Sequence, residues 1–186
     1  MPRLPPRRSA AIMLVGLLVL LDGCGPKKPD FAPACPRADL LWEAADFSRY
    51  RDSSATATQD IRDLVLSGRI TGIQAKCQQG DTAAELTADL AVAIRFTRGP
   101  AMQGRAADVQ YFVAVTEGGQ VRDKQIFAVH VVFPENQDQV TWLSDPVHMV
   151  FPVSPTKSGA AYTVLASFQF TRDELSAMRR RSTTAP

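Results

Sequence analysis

Between Glu85 and Arg98 the apolar residues Leu86, Ala88, Leu90, Val92, Ile94 and Phe96 recur at every second position, with Thr87, Asp89, Arg95 and Thr97 among the residues between them. A strand sends successive side chains to opposite faces, so this spacing builds one buried face and one wet face. In a helix the same residues would be scattered around the whole circumference. Arg98-Gly99-Pro100 ends the run as a turn. A chain carrying such a strand has to supply a sheet around it and a second layer above its apolar face.

The partners are legible by the same period. Leu64 to Cys77 reads as a strand whose apolar parity changes between Leu66/Ile70 and Ile73/Ala75/Cys77, and a bulge or bend at Gly72 accounts for the change. Val109 to Thr116 and Lys124 to Phe133 flank Glu117-Gly118-Gly119-Gln120, a hairpin signal. Gln139 to Leu143, Val147 to Val153 and Ala161 to Phe170 follow, separated by Asp145-Pro146 and by the polar run Ser154 to Gly159. Leu40 to Tyr50 suits either a short strand or a helical turn. The expected fold is mainly β: an antiparallel β-sandwich, immunoglobulin-like in general architecture, of about seven strands with a short C-terminal helix. The helix is expected from Thr171-Arg172-Asp173-Glu174, a capping box, followed by Leu175 and Met178 on one face and Arg179, Arg180 and Arg181 near the end.

Both faces of the hairpin are apolar. Val109, Tyr111, Val113, Val115, Phe127, Val129, Val131 and Phe133 share one; Phe112, Ala114, Ile126, Ala128 and Val132 share the other. One sandwich core cannot bury both. The second face is expected either to be covered by the terminal helix through Leu175 and Met178 or to serve as an interaction face.

The first 23 residues follow a different logic. Residues 1–9 carry Arg3, Arg7 and Arg8 and no acid, and Ala10 to Leu21 is apolar apart from Gly16. Its 12 residues fall short of the roughly 20 that a helix needs to cross a bilayer, so the segment reads as a secretory signal. Leu21-Asp22-Gly23-Cys24 resembles the lipobox of bacterial lipoproteins, with Asp22 departing from the usual small neutral residue. The resemblance implies diacylglycerol and further acylation, such as palmitate, on Cys24, and cleavage before it. Ala32-Pro33-Ala34 is a rival cleavage site, set farther beyond the apolar run. Gly25, where aspartate would resemble an inner-membrane retention signal, implies the outer membrane, facing the periplasm. Pro26, Pro29, Pro33 and Pro36 make residues 24–36 an extended tether with a reach of roughly 35 Å. The expected division is thus a signal peptide over 1–23, the lipidated cysteine and tether over 24–36, the folded domain over 37–181 and a polar tail over 182–186.

With Cys24 given to lipid, Cys35 and Cys77 remain in an exported protein, where oxidation is favoured, and they are expected to form a disulfide. Neither a C-x-x-C motif nor metal-ligand spacing points to a redox or metal role.

Charge narrows the partners. Residues 1–23 hold three of the 21 basic and one of the 19 acidic side chains, which leaves 18 of each in the rest. A neutral chain has no basic excess for displacing counterions from phosphates, so nucleic acid is not expected as a partner. His130 and His148 are the only histidines; His130 reads as a buried or edge strand residue, and Asp145 with His148 is too thin a set for a cation. No nucleophile elbow, phosphate loop, dinucleotide fingerprint or zinc-helix motif occurs. No catalytic residue, metal or cofactor is expected.

Taken together, Cys35-Pro36, Cys77, Arg98-Gly99-Pro100-Ala101, Tyr111-Phe112-Val113-Ala114-Val115 and Phe168-Gln169-Phe170-Thr171 leading to Leu175 and Arg179 resemble a family of small uncharacterised lipoproteins of Gram-negative bacteria. Ser167 stands where that family suggests glycine, and Phe170 where leucine is usual. The resemblance implies the address and brings no activity with it. The expected role is a lipid-anchored binding or scaffolding module of the cell envelope, with the membrane and an envelope protein as its partners. The rival readings are a hydrolase acting on envelope polymer and a carrier of an apolar ligand.

Overall fold

The computed structural model describes residues 34–52, 60–172 and 174–176. The expected signal segment, Cys24 and its tether up to residue 33, Met178, Arg179 to Arg181 and the tail 182–186 lie outside the described residues.

The described residues form two sheets packed face to face, with nine strands rather than seven. In chain order they are β1 (Arg37–Leu40), β2 (Asp46–Tyr50), β3 (Leu64–Gln79), β4 (Glu85–Arg98), β5 (Ala106–Glu117), β6 (Gln120–Val132), β7 (Gln139–Leu143), β8 (Val147–Pro152) and β9 (Tyr162–Phe168). Sheet I has the order β1-β9-β5-β6; sheet II has the order β2-β3-β4-β7, with β8 also paired to β4. Of the two additional strands, β2 comes, with a 3-10 turn, from the ambiguous segment Leu40 to Tyr50, whereas β1 lies almost wholly before it and is not among the expected strands. β1 and β2 flank that turn, at Trp42–Ala44. One pair departs from the antiparallel expectation, because β1 runs parallel to β9.

β4 buries Leu86, Ala88, Leu90, Val92, Ile94 and Phe96, the set its alternation singles out. Its neighbour β3 carries the expected irregularity: Ile70 pairs with Ile94 and Gly72 with Ala93, which leaves Thr71 as the extra residue. On the other side β4 pairs first with β8 and then with β7, two collinear pieces of one edge broken at Ser144–Pro146. Buried Ser144 bridges the break. Its amide donates to the Val92 carbonyl at 3.0 Å, and its hydroxyl oxygen accepts from the Val92 amide at 2.9 Å, standing in for a missing strand carbonyl.

The sheets meet through aromatic contacts that cross the interface. Phe168 on sheet I packs edge-on to Phe47 at 4.7 Å and against Phe96 at 6.5 Å, both on sheet II. Tyr162 meets Phe151 at 5.2 Å. The hairpin closes through Gly118 and Gly119, with φ of 58° and 79°, as a two-residue turn needing positive φ at both centres.

The two lateral sides differ. On one, the chain leaves β1 in sheet I, turns through Trp42–Ala44 and enters β2 in sheet II, so a switching strand seals the side. Cys35, just before β1, and Cys77 on β3 stand there with Cα atoms 6.1 Å apart and their sulfurs within bonding distance. On the other side β6 faces β7 and β8 with no strand between them.

Arg98-Gly99-Pro100 is a turn, as expected, and an organised one. The Gly99 amide donates to the Val65 carbonyl and the Ala101 amide to that of Leu64. The Arg98 guanidinium holds the carbonyls of Gly104 and Met102 and pairs with Asp138. A Cβ on Gly99 would collide with the Leu64 carbonyl oxygen, whereas one on Gly72 meets nothing within 4 Å. Gly99→Ala is therefore expected to cost about 1–3 kcal/mol or to abolish folding. Gly72→Ala should stay within about 0.5 kcal/mol. Equilibrium urea unfolding of both variants checks this contrast.

The disulfide has its own test. Its 42-residue separation implies about 4 kcal/mol from chain entropy, less any strain in the native state. Removing both thiols as Cys35→Ser/Cys77→Ser should lower stability by that order. Thiol titration of unfolded, unreduced wild type should find neither cysteine reactive.

Candidate functional site

The first hairpin face is core: Val109, Tyr111, Val113, Val115, Val129, Val131 and Phe133 are buried, and Phe127 is half-buried. Of the two residues expected to cover the second face, Leu175 is described and Met178 lies outside the described residues. Leu175 packs against the main core, and the described part of the helix leaves Ile126 54% and Val132 57% exposed, with Ala128 also exposed. What shelter this face has comes from closer at hand. Lys124 lies opposite Ala114, sets its ammonium 4.2 Å from the centre of the Phe112 ring and donates to Gln169 at 2.8 Å. Its stem thus roofs Ala114, which is buried, and Phe112, which is half-buried.

Next to Phe112 stands fully buried Ser167, whose hydroxyl donates to the Ala44 carbonyl at 2.6 Å. The 3-10 turn therefore presses on the outer face of sheet I at the position where the resemblance suggests glycine. Only a small side chain fits beneath so close a backbone, and serine adds a hydrogen bond. Leu41 and Trp42 ride on this turn, and Trp42 is 71% exposed.

The open side between β6 and the β7/β8 edge holds two adjoining hollows. The larger, about 690 Å3, has Val115, Met149, Phe151 and Tyr162 in its lining together with Glu117, Arg122, Asp123 and Lys157. Glu117 and Asp123 are the two acids of this cleft. Glu117 is bound by Lys157 at 2.6 Å and Arg122 at 3.0 Å. The Lys157 contact above all holds its carboxyl below the usual range, which suits a fixed anion better than a proton donor. The smaller hollow, about 420 Å3, is lined by Tyr111, Phe127 and Trp142. Tyr111 stacks on Phe127 at 5.1 Å and meets Trp142 on the opposite sheet at 5.8 Å. Burial raises the Tyr111 phenol above its ordinary pKa, offset in part by its hydrogen bond to Ser144.

The histidines are cross-strand partners of aspartates. His130 reaches Asp108 at 2.7 Å and is exposed rather than buried; His148 reaches Asp89 at 2.8 Å and not Asp145. Among the described residues no group of three or more His, Cys, Asp or Glu side chains is placed to hold a metal ion, and no helix is long and apolar enough to cross a membrane.

No protein-family model matches the chain, and comparisons with curated proteins and with solved structures return no match.

The expected capping box is present and reciprocal. The Thr171 amide donates to Glu174 at 2.8 Å, and the Glu174 amide donates to the Thr171 hydroxyl at 3.2 Å. Arg49 on β2 adds a 3.1 Å ion pair to the same carboxylate, tying the helix to sheet II. Burial pushes the Glu174 carboxyl up, but the Thr171 amide and Arg49 outweigh it and the net shift is downward. A carboxyl lowered by folding contributes stability above its unfolded value and loses it as pH falls through the folded one. Glu174→Gln should therefore be less stable than wild type by up to about 1 kcal/mol at neutral pH. The difference should shrink as pH falls below the ordinary carboxylate range and vanish once Glu174 is protonated in the folded state, as read from urea unfolding across pH.

Proposed function

We propose that this chain is a lipid-anchored protein of the cell envelope, held through Cys24 in the outer membrane and facing the periplasm, that acts as a non-catalytic binding or scaffolding module. One observation carries the reading: β6 is a 13-residue edge strand whose outer edge pairs with no other strand among the described residues, and bare apolar side chains, Ile126 and Val132, stand on its outer face. Exposed edges of this kind recruit other chains unless something blocks them. Arg122, Asp123 and Lys124 guard the hairpin end, so the accessible strip runs from Ile126 through Ala128 to Val132. An envelope protein is the partner this strip suits.

The rival readings have less behind them. A hydrolase acting on envelope polymer would draw on Glu117 and Asp123 in the larger hollow, and Glu117 is already neutralised by two cations. A carrier of an apolar ligand needs an apolar cavity; Phe96, Phe133 and Phe168 fill the interior between the sheets, and the larger hollow at its open side is lined by Glu117, Arg122, Asp123 and Lys157 as well as by apolar side chains.

Two measurements test the proposal. Metabolic labelling with a fatty-acid probe should mark the wild type and leave Cys24→Ala unmarked; equal labelling defeats the anchor. A photo-crosslinking residue at position 126 or 132, used in intact cells, should give a discrete adduct that the same residue at exposed position 89 on sheet II does not. No adduct at either position removes the binding role from this face.

A further inference from the structure

The outer face of sheet II carries a charge arrangement that the fold does not require. Strand register aligns Asp46, Arg69, Arg95 and Thr141 in one row across β2, β3, β4 and β7, with Arg69 directly opposite Arg95. Like charges facing each other across strands repel. Asp46 answers one of them, pairing with Arg69 at 3.1 Å. Among the described residues the Arg95 guanidinium has no hydrogen-bond or ion-pair partner. Farther along the same face Lys76 stands opposite Asp89 rather than opposite a like charge, and Asp89 also meets His148 at 2.8 Å. The arginine row leaves one cation over.

The adjacent row is Ser48, Ser67, Thr97 and Gln139, again in direct register. The Gln139 amide donates to the Thr97 hydroxyl oxygen at 3.3 Å, which leaves the Thr97 proton free to be donated elsewhere. Asp46, Ser48, Ser67, Arg69, Arg95 and Thr97 together line a hollow of about 520 Å3. Two guanidinium forks beside three hydroxyls suit an oxyanion attached to a hydroxyl-bearing framework. Phe47 also contributes to the lining, but it is buried and belongs to neither row, so the face offers no exposed ring for stacking a base.

We infer that this hollow is a binding site for an anionic sugar, with a phosphate or carboxylate group set between Arg95 and Arg69 and the sugar hydroxyls along the serine–threonine row. The bound anion would take up the charge that Asp46 leaves unanswered. The site stands on sheet II, away from the β6 strip, and holds whether or not Cys24 carries lipid.

Calorimetric titration of the full chain in non-ionic detergent, at ionic strength fixed with sodium chloride, tests the inference with glucose 1-phosphate, glucuronic acid and glucose as probes. At least one of the two anions should bind saturably and the neutral sugar should not; the tighter anion identifies the oxyanion as phosphate or carboxylate. Arg95→Gln should weaken that binding at least about tenfold. Asp46→Asn, which frees Arg69, should strengthen it, and Lys76→Gln on the same face should leave it unchanged. The inference is overturned by binding of glucose equal to that of the anions, by no saturable binding of either anion, or by equal losses in Arg95→Gln and Lys76→Gln. Far-ultraviolet circular dichroism of each variant shows that the fold is kept.

Discussion

Everything in sheet II hangs on β4, which offers a hydrogen-bonding edge on both sides. β3 pairs with it over its whole length, and β8 and β7 share the opposite edge in succession. A central strand of this kind buries one face completely, which is why Val92, Ile94 and Phe96 exclude solvent. The cost of the arrangement falls where β7 gives way to β8. Pro146 has no amide to offer, and an unpaired Val92 amide inside the core would cost about 1–3 kcal/mol. Ser144 removes that cost with its own hydroxyl and amide, so a buried polar residue keeps an interrupted edge continuous.

A sandwich with unlike sides follows from the order of the strands. The β1 to β2 crossing, the Cys35–Cys77 pair and the Ser167 hydroxyl all lie on one side and tie the two sheets there by covalent and directional links. The other side is held by the Tyr111, Phe127 and Trp142 rings, whose contacts are apolar and tolerate shifts. Among the described residues, the main-chain edges of both sheets on the side opposite Cys35 therefore pair with no further strand.

Much of this was legible in the residues because alternation, turn chemistry and capping are local. The β4 face, the Gly118-Gly119 turn, the change of parity in β3 and the Thr171–Glu174 box each declare themselves within a dozen positions. The failures are failures of range. β1 is four residues long and exposed, and it becomes a strand only because β9 lies beside it, in parallel, more than a hundred residues away. Nothing in a linear pattern says that Lys124 will set its ammonium over the Phe112 ring and stand opposite Ala114 on the outer hairpin face. Nothing near His148 in the sequence points to Asp89, its partner, which strand pairing sets.

The arginine pair shows how far a single residue of register reaches. In the half of β3 beyond the bulge, Ile73 faces Val92 and Cys77 faces Ala88. Carried back unbroken, that register would set Arg69 opposite Phe96, on the buried face, and would turn Ile70 outward. The extra residue Thr71 returns Ile70 to the core and moves Arg69 to the outer surface, in line with Arg95. Gly72 marks the place, although a side chain there would meet nothing, so the bulge does not depend on glycine. One inserted residue thus serves two ends: it keeps both halves of a 16-residue strand apolar on the inside, and it assembles on the outside the two cations that no neighbouring strand fully balances.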